Sequence, residues 1–93
     1  MGTSRLRGVR PGRVGVFAGS LESRPVEMQR AVARGIERLG FGALWYGEWF
    51  ARETFAQAAI LLAATDRLVV GSGIAIIWAR DPMAMANGAR ALA

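Results

Sequence analysis

Few side chains in this sequence could do acid–base chemistry, and the best placed lie in the short stretch Tyr46-Gly47-Glu48. Glu48 has aromatic residues on both sides in the sequence. A carboxylate near aromatic rings can have a raised pKa, which suggests Glu48 as a catalytic acid or base. Tyr46 and Trp78 are candidates for the wall of a substrate pocket. The sequence fits equally well a solvated loop position for Glu48 and a packing role for Trp78.

A second unusual feature is the sequence Gly71-Ser72-Gly73 inside an otherwise apolar run from Leu68 to Ile77. An apolar strand of this kind is typical of a parallel sheet whose faces are covered by helices and core. Glycine weakens a strand unless a bulge or a closely approaching ligand requires it. We therefore predict a bulge at this point of the strand. The alternative is that the glycines only allow the strand to pack against a helix.

Alternating strand and helix patterns must position these residues. Strands are predicted at residues 13–19, 43–46 and 68–77, and helices at 25–39, at 54–65 and from Pro82 onward. Asp81 is the expected N-cap of the last helix, which Asn87 and Gly88 should interrupt. Three strand–helix units predict a parallel α/β sheet with right-handed crossovers.

The helices show apolar positions that should face the sheet. Spacings of three and four residues define a stripe on the first helix. The second helix is apolar nearly all round and should be well buried. The expected core-facing residues are Met28, Val32, Ile36 and Leu39 on the first helix, and Phe55, Ala59 and Leu62 on the second.

The composition narrows the possible partners. All twelve basic residues are arginine, there are seven acidic residues, and the net charge is +5. Four arginines lie in the first thirteen residues, mostly in an expected amino-terminal tail (residues 1–11), and most of the others are spread over helix surfaces, so we expect no nucleic-acid partner. The chain has no histidine and no cysteine, and we expect no metal site. Without a signal peptide or a spanning apolar run, we expect a cytoplasmic protein with no membrane contact.

Two segments carry a resemblance to a known family. They are RGIERLGFGALWYGE (residues 34–48) and AILLAATDRLVVGSGIAIIWARDP (residues 59–82). Over residues 12–93 the sequence resembles luciferase-like monooxygenases, and within them the oxidoreductases that use coenzyme F-420, an 8-hydroxy-5-deazaflavin. This resemblance implies the first three βα units of a (β/α)₈ TIM barrel. The last predicted helix continues to Ala93 without a cap, so we expect the amino-terminal part of a larger domain, inactive alone.

The resemblance also implies a function and a site. Ser72, Gly73 and Ile74 would support the coenzyme ring, with a cis peptide bond between Gly73 and Ile74. The reaction would be hydride transfer to or from a small organic substrate, in a full-length protein that forms a homo-oligomer. The alternative cofactor is FMN, used with molecular oxygen. The alternative from another class is a small non-catalytic α/β interaction module.

Overall fold

A computed structural model describes residues 12–49 and 51–93, so the expected tail at residues 1–11 lies outside the described residues. The described chain contains a three-stranded parallel sheet in the order β1 (Gly15–Phe17), β2 (Ala43–Tyr46), β3 (Val69–Ser72). Helices alternate with these strands. The parallel α/β sheet is as the sequence patterns predict, and it fits the start of a TIM barrel, which the resemblance implied.

Three helices follow the strands: α1 (Val26–Arg38), α2 (Thr54–Ala63) and α3 (Pro82–Leu92). The Asp81 carboxylate accepts a hydrogen bond from the Ala84 N–H at 2.8 Å, so the predicted N-cap is confirmed. The predicted interruption at Asn87 and Gly88 is wrong, because α3 runs through both residues. A Cβ at Gly88 would lie 2.5 Å from the Phe55 ring, so the glycine allows α3 to approach α2 closely.

The predicted apolar stripe on α1 is confirmed in part: Ile36 is buried and Val32 packs against the core, but Met28 and Leu39 are exposed. Met28 and Leu39 are 49% and 78% exposed, whereas the fully buried positions are Gln29 and Ala33, with Ile36 beside them. The reason is an amide pair between the helices: the Gln57 side chain on α2 donates to that of Gln29. On α2 predicted Leu62 packs against the core, but the buried residues are others: Thr54, Gln57, Ala58 and Leu61.

The helices cover one face of the sheet only. Leu44 and Val70 are fully buried on this face and form the core with side chains of α1 and α2. Leu61 and Leu68 complete the centre of this cluster. On the other face Phe17 and Trp45 are exposed, whereas Ala43 and Val69 are buried, so this face is open at the carboxyl ends of the strands.

The predicted third strand is too long, because β3 ends at Ser72 rather than at residue 77. β3 pairs residue by residue with β2 through Ser72, so the predicted bulge does not add a residue to this ladder. Beyond it, the Gly73 N–H still donates to the Tyr46 carbonyl at 2.6 Å. The chain then turns into a short 3₁₀ helix at Ile77–Ala79. The first strand is also shorter than predicted and spans Gly15–Phe17.

Glu37, on α1, fixes the entrance to β3. Its carboxylate accepts hydrogen bonds from the backbone N–H groups of Asp66, Arg67 and Leu68, at 3.1, 2.5 and 2.8 Å. Backbone N–H groups in a tight turn need acceptors, and a charged acceptor makes the stronger bonds. Glu37 therefore ties α1 to the turn that sets the start of β3. Within the described residues, no helix has the length and apolar composition needed to cross a bilayer.

We predict that Glu37→Gln lowers the free energy of unfolding by about 1–3 kcal/mol, because three N–H groups lose a charged acceptor. The matched control is Glu27→Gln on the same helix. Glu27 pairs with Arg30 at the surface and its side chain is 80% exposed, so its loss should cost less than about 1 kcal/mol. Urea denaturation measures both values, and equal losses would contradict the role given to Glu37.

Candidate functional site

The open face of the sheet is aromatic at the carboxyl ends of its strands. The parallel register places Phe17, Trp45 and Gly71 side by side on β1, β2 and β3. Phe17 is 61% exposed and Trp45 is 43% exposed. A Cβ at Gly71 would lie 2.4 Å from the Trp45 ring, so this glycine lets the indole lie against β3. The result is a flat aromatic surface next to bare backbone.

Gly73 and Ile74 extend this surface beyond the end of β3. A Cβ at Gly73 would lie 3.5 Å from the Phe17 ring, an ordinary contact distance, so there is room beside the phenyl ring. Ile74 is 78% exposed. The peptide bond between Gly73 and Ile74 is cis, as the resemblance implied. Gly73 therefore lies beside Phe17 at the open face, and the exposed Ile74 follows it.

Tyr46 and Ser72 lie on the other, helix-covered face. The Tyr46 hydroxyl donates to the Thr54 carbonyl at 2.6 Å, and the Thr54 hydroxyl bonds the Ser72 hydroxyl at 3.0 Å. Tyr46 is only 2% exposed, and burial raises the pKa of its phenol above the ordinary value. Neither hydroxyl is thus presented at the open face. The two side chains position α2 against the ends of β2 and β3.

Glu48 lies where the loop after β2 meets the segment after β3. Its carboxylate accepts the Thr54 N–H at 2.8 Å and the Ile76 N–H at 2.7 Å. Arg80 donates to the same carboxylate at 2.5 Å, and the two side chains are 7% and 9% exposed for Glu48 and Arg80. The carboxylate therefore joins three segments of the chain.

The prediction of a raised pKa for Glu48 is wrong. Burial by itself would raise this pKa, but the hydrogen bonds from Arg80 and from the Ile76 and Thr54 N–H groups outweigh burial and lower it. A carboxylate held in this way stays ionised at neutral pH and is a weak base. Its geometry suits positioning of the loops better than proton transfer.

Glu22 is a buried, loop-positioning residue that the sequence does not reveal. It lies in a short 3₁₀ helix after β1 (Leu21–Ser23) and is 3% exposed. Its carboxylate accepts the backbone N–H groups of Trp49 and Arg52 at 2.7 and 3.2 Å, and the Arg52 guanidinium donates to the Glu22 carbonyl at 2.6 Å. Glu22 and Glu48 thus hold the loop between β2 and α2 from both sides. Acidic residues that bind distant backbone have no local sequence signature.

A cleft of about 550 Å³ opens between this loop and the start of α3. It is separate from Phe17 and Trp45, which do not line it. Trp78 also lies outside the lining and is 92% exposed. Residues of the cleft are Glu48, Trp49, Ala51, Arg52, Glu53, Phe55, Ile76, Ala79, Arg80 and Ala84. Among the described residues, no group of three or more Asp, Glu, His or Cys side chains is placed to hold a metal ion.

We predict that Arg80→Leu lowers the free energy of unfolding by about 1–3 kcal/mol, because the buried Glu48 carboxylate loses a charged donor. Arg30→Leu is the matched control: its ion pair with Glu27 lies at the surface, where the two side chains are 39% and 80% exposed, and should contribute less than about 1 kcal/mol. Thermal or urea unfolding of both variants measures the difference. A smaller loss for Arg80→Leu than for Arg30→Leu would show that the buried pair does not hold the loops.

The lowered pKa of Glu48 also predicts how stability depends on pH. A carboxyl group whose pKa is lower in the folded state stabilises the fold fully above its unfolded pKa of about 4.5, and the contribution is lost as pH falls through the folded pKa. The difference in unfolding free energy between the parent and Glu48→Gln should therefore be constant near neutral pH and shrink below pH 4.5. Denaturation at several pH values measures it. A difference that grows on acidification would mean that the pKa is raised.

Comparison with known proteins identifies a family. The family model described as luciferase-like monooxygenase matches residues 11–93. No curated protein and no solved structure matches the chain. The match covers all three strands and all three helices.

Proposed function

The chain belongs to the luciferase-like monooxygenase family, and on that premise we propose that it supplies part of the ring-binding site of an oxidoreductase. The proposed reaction is hydride transfer between coenzyme F-420 and a small organic substrate. Three strands and their helices would form the part of a barrel that carries the ring. The open aromatic face at the carboxyl ends of these strands is the observation that carries the proposal.

The open face fits a flat tricyclic ring for physical reasons. Phe17 and Trp45 offer exposed aromatic surface, and offset stacking of aromatic rings is favourable beyond the apolar area that it buries. The missing side chain at Gly73 leaves backbone accessible beside the Phe17 ring. A side chain at this position would occupy the space where a ring could approach. Shape and chemistry therefore support a planar, largely apolar ring system here.

The residues of the site would have different roles. Gly73 and Ile74 would contact the ring, while Ser72 would position this segment through its hydrogen bond with the Thr54 hydroxyl. When bound, the deazaflavin ring supplies a hydride acceptor or donor. Glu48 would act as a positioning residue, since its carboxylate is already bonded to two N–H groups and to Arg80. Proton transfer at the substrate would then use another group.

FMN is the second candidate cofactor, and it would imply a reaction with molecular oxygen. Its ring has the same tricyclic outline, so the aromatic face and the space at Gly73 suit both ring systems. The side chains at this face, Phe17, Trp45 and Ile74, carry no charge that would favour one ring over the other. Titration of the protein with each coenzyme compares the two affinities directly.

We predict that Gly73→Val weakens coenzyme binding by more than tenfold, about 1.4 kcal/mol or more, while leaving the unfolding free energy nearly unchanged. The added side chain would fill the space beside Phe17, whose ring lies 3.5 Å from the new Cβ. Gly35→Val on α1 is the matched control, since a Cβ there meets no atom within 4 Å. Fluorescence titration of the intact protein with coenzyme F-420 and with FMN measures the affinities.

The two titrations also separate the alternatives. Tight binding of FMN and weak binding of coenzyme F-420 would replace the proposed reaction by an oxygen-dependent one. Binding of neither ring would favour a non-catalytic interaction module. If Gly73→Val binds as the parent does, the residues after β3 only serve packing and the ring site lies elsewhere.

A further inference from the structure

The cleft between the β2–α2 loop and α3 is not used by the proposed ring site. Its volume of about 550 Å³ is large enough for a small molecule, and the cleft is open to solvent rather than enclosed. Three larger apolar side chains line it, Trp49, Phe55 and Ile76, and the remaining apolar wall is made of alanines. Trp49 is 61% exposed and Ile76 is 38% exposed, so much of this apolar surface is available to a ligand.

The charged groups of the cleft neutralise one another. Two carboxylates, Glu48 and Glu53, and two guanidinium groups, Arg52 and Arg80, line it. Arg80 lies between the carboxylates, at 2.5 Å from Glu48 and 3.2 Å from Glu53. The formal charges therefore cancel within the lining.

The hydrogen-bonding groups of these residues are also already engaged. Both oxygens of Glu53 accept N–H groups at the start of α2, each at 3.0 Å. Arg52 donates to the Glu22 carbonyl, and Arg80 also donates to the Ile76 carbonyl at 2.8 Å. The Arg80 guanidinium lies 5.6 Å from the centre of the Phe55 ring, which adds a cation–π contact. The charges of Glu48, Glu53 and Arg80 are thus already paired, and a charged ligand would have to compete with these pairs.

We infer that this cleft binds a neutral, largely apolar organic molecule and discriminates against charged ones. Moving an ionised ligand group out of water without a partner is unfavourable. Apolar ligand surface, in contrast, gains free energy from contact with Trp49, Phe55 and Ile76. The selectivity follows from the cleft alone. The cleft is a binding site that is separate from the proposed ring site, and its assignment does not depend on the proposed function.

The test compares three probes with one aromatic skeleton: naphthalenemethanol, naphthoate and naphthylmethylammonium. Equilibrium dialysis against the intact protein at neutral pH measures their affinities. We expect the neutral alcohol to bind at least about tenfold more tightly than either ion. Equal binding of the three probes, or no binding of the alcohol, would overturn the inference.

Two variants test the location and the charge argument. Ala84→Trp should abolish binding of the alcohol by filling the cleft, whereas Ala86→Trp, on the same helix and outside the lining, should not. Glu53→Gln removes one carboxylate, leaves an excess positive charge and should strengthen naphthoate binding several-fold. Unchanged binding of the alcohol by Ala84→Trp, or of naphthoate by Glu53→Gln, would overturn the assignment.

Failure of this inference and failure of the proposed function are distinguishable. If the protein binds the alcohol in the cleft but binds neither coenzyme F-420 nor FMN, the cleft assignment holds and the proposed oxidoreductase function is wrong. If the protein binds a coenzyme, Gly73→Val weakens that binding and no neutral probe binds, the ring site holds and the cleft assignment is wrong.

Discussion

The carboxylate of Glu48 is the interaction on which the carboxyl edge of the sheet depends. It accepts one N–H at the start of α2, one from Ile76 after β3, and the guanidinium of Arg80. The loops at this edge also make backbone bonds, such as the one from the Glu48 N–H to the Ile74 carbonyl at 3.2 Å. The N–H groups of Thr54 and Ile76 instead bond this carboxylate, and a buried N–H group without an acceptor is costly. One side chain therefore fixes the relative positions of two loops and of the residues that line the cleft. Ionisation of Glu48 is a condition of this arrangement.

The same device recurs at two other places. Glu22 accepts two N–H groups of the β2–α2 loop, and Glu37 accepts three N–H groups at the turn before β3. Glu22 and Glu48 thus bind loops at the carboxyl edge of the sheet, Glu37 binds the turn at the start of β3, and the helices cover one face. The opposite face differs at its carboxyl end. Phe17 and Trp45 remain exposed there, and this contrast makes the open face the natural place for a ligand or for further protein.

Much of the architecture could be predicted from the sequence because it follows from local patterns. The order of strands and helices, the position of β2 and the cap at Asp81 depend on short-range periodicity and capping. The cis bond at Gly73–Ile74 was expected only through the family resemblance. The length of β3 could not be predicted, because the chain leaves the sheet for contacts with Glu48, which are distant in the sequence.

Two kinds of residue escaped the sequence analysis for physical reasons. Hydrophobic periodicity ranks Met28 above Gln29, yet Gln29 is buried because its amide bonds both the Gln57 side chain and the Arg24 carbonyl. Glu22 and Glu37 resemble solvated acids, since their N–H partners lie 27 to 31 residues away along the chain. Polar side chains that accept hydrogen bonds from backbone N–H groups far away in the sequence cannot be found from patterns among neighbouring residues.

Charge is distributed differently over the outer surface of the chain and over its carboxyl edge. The chain has a net charge of +5, but the cleft cancels its own charges and the open face is made of aromatic, aliphatic and glycine residues. Within the described residues, exposed arginines such as Arg34, Arg38 and Arg67 lie on α1 and before β3. Exposed charges are screened by water and salt over distances of about 10 Å. The excess positive charge therefore acts at the outer surface, while apolar contact and shape govern recognition at the carboxyl edge.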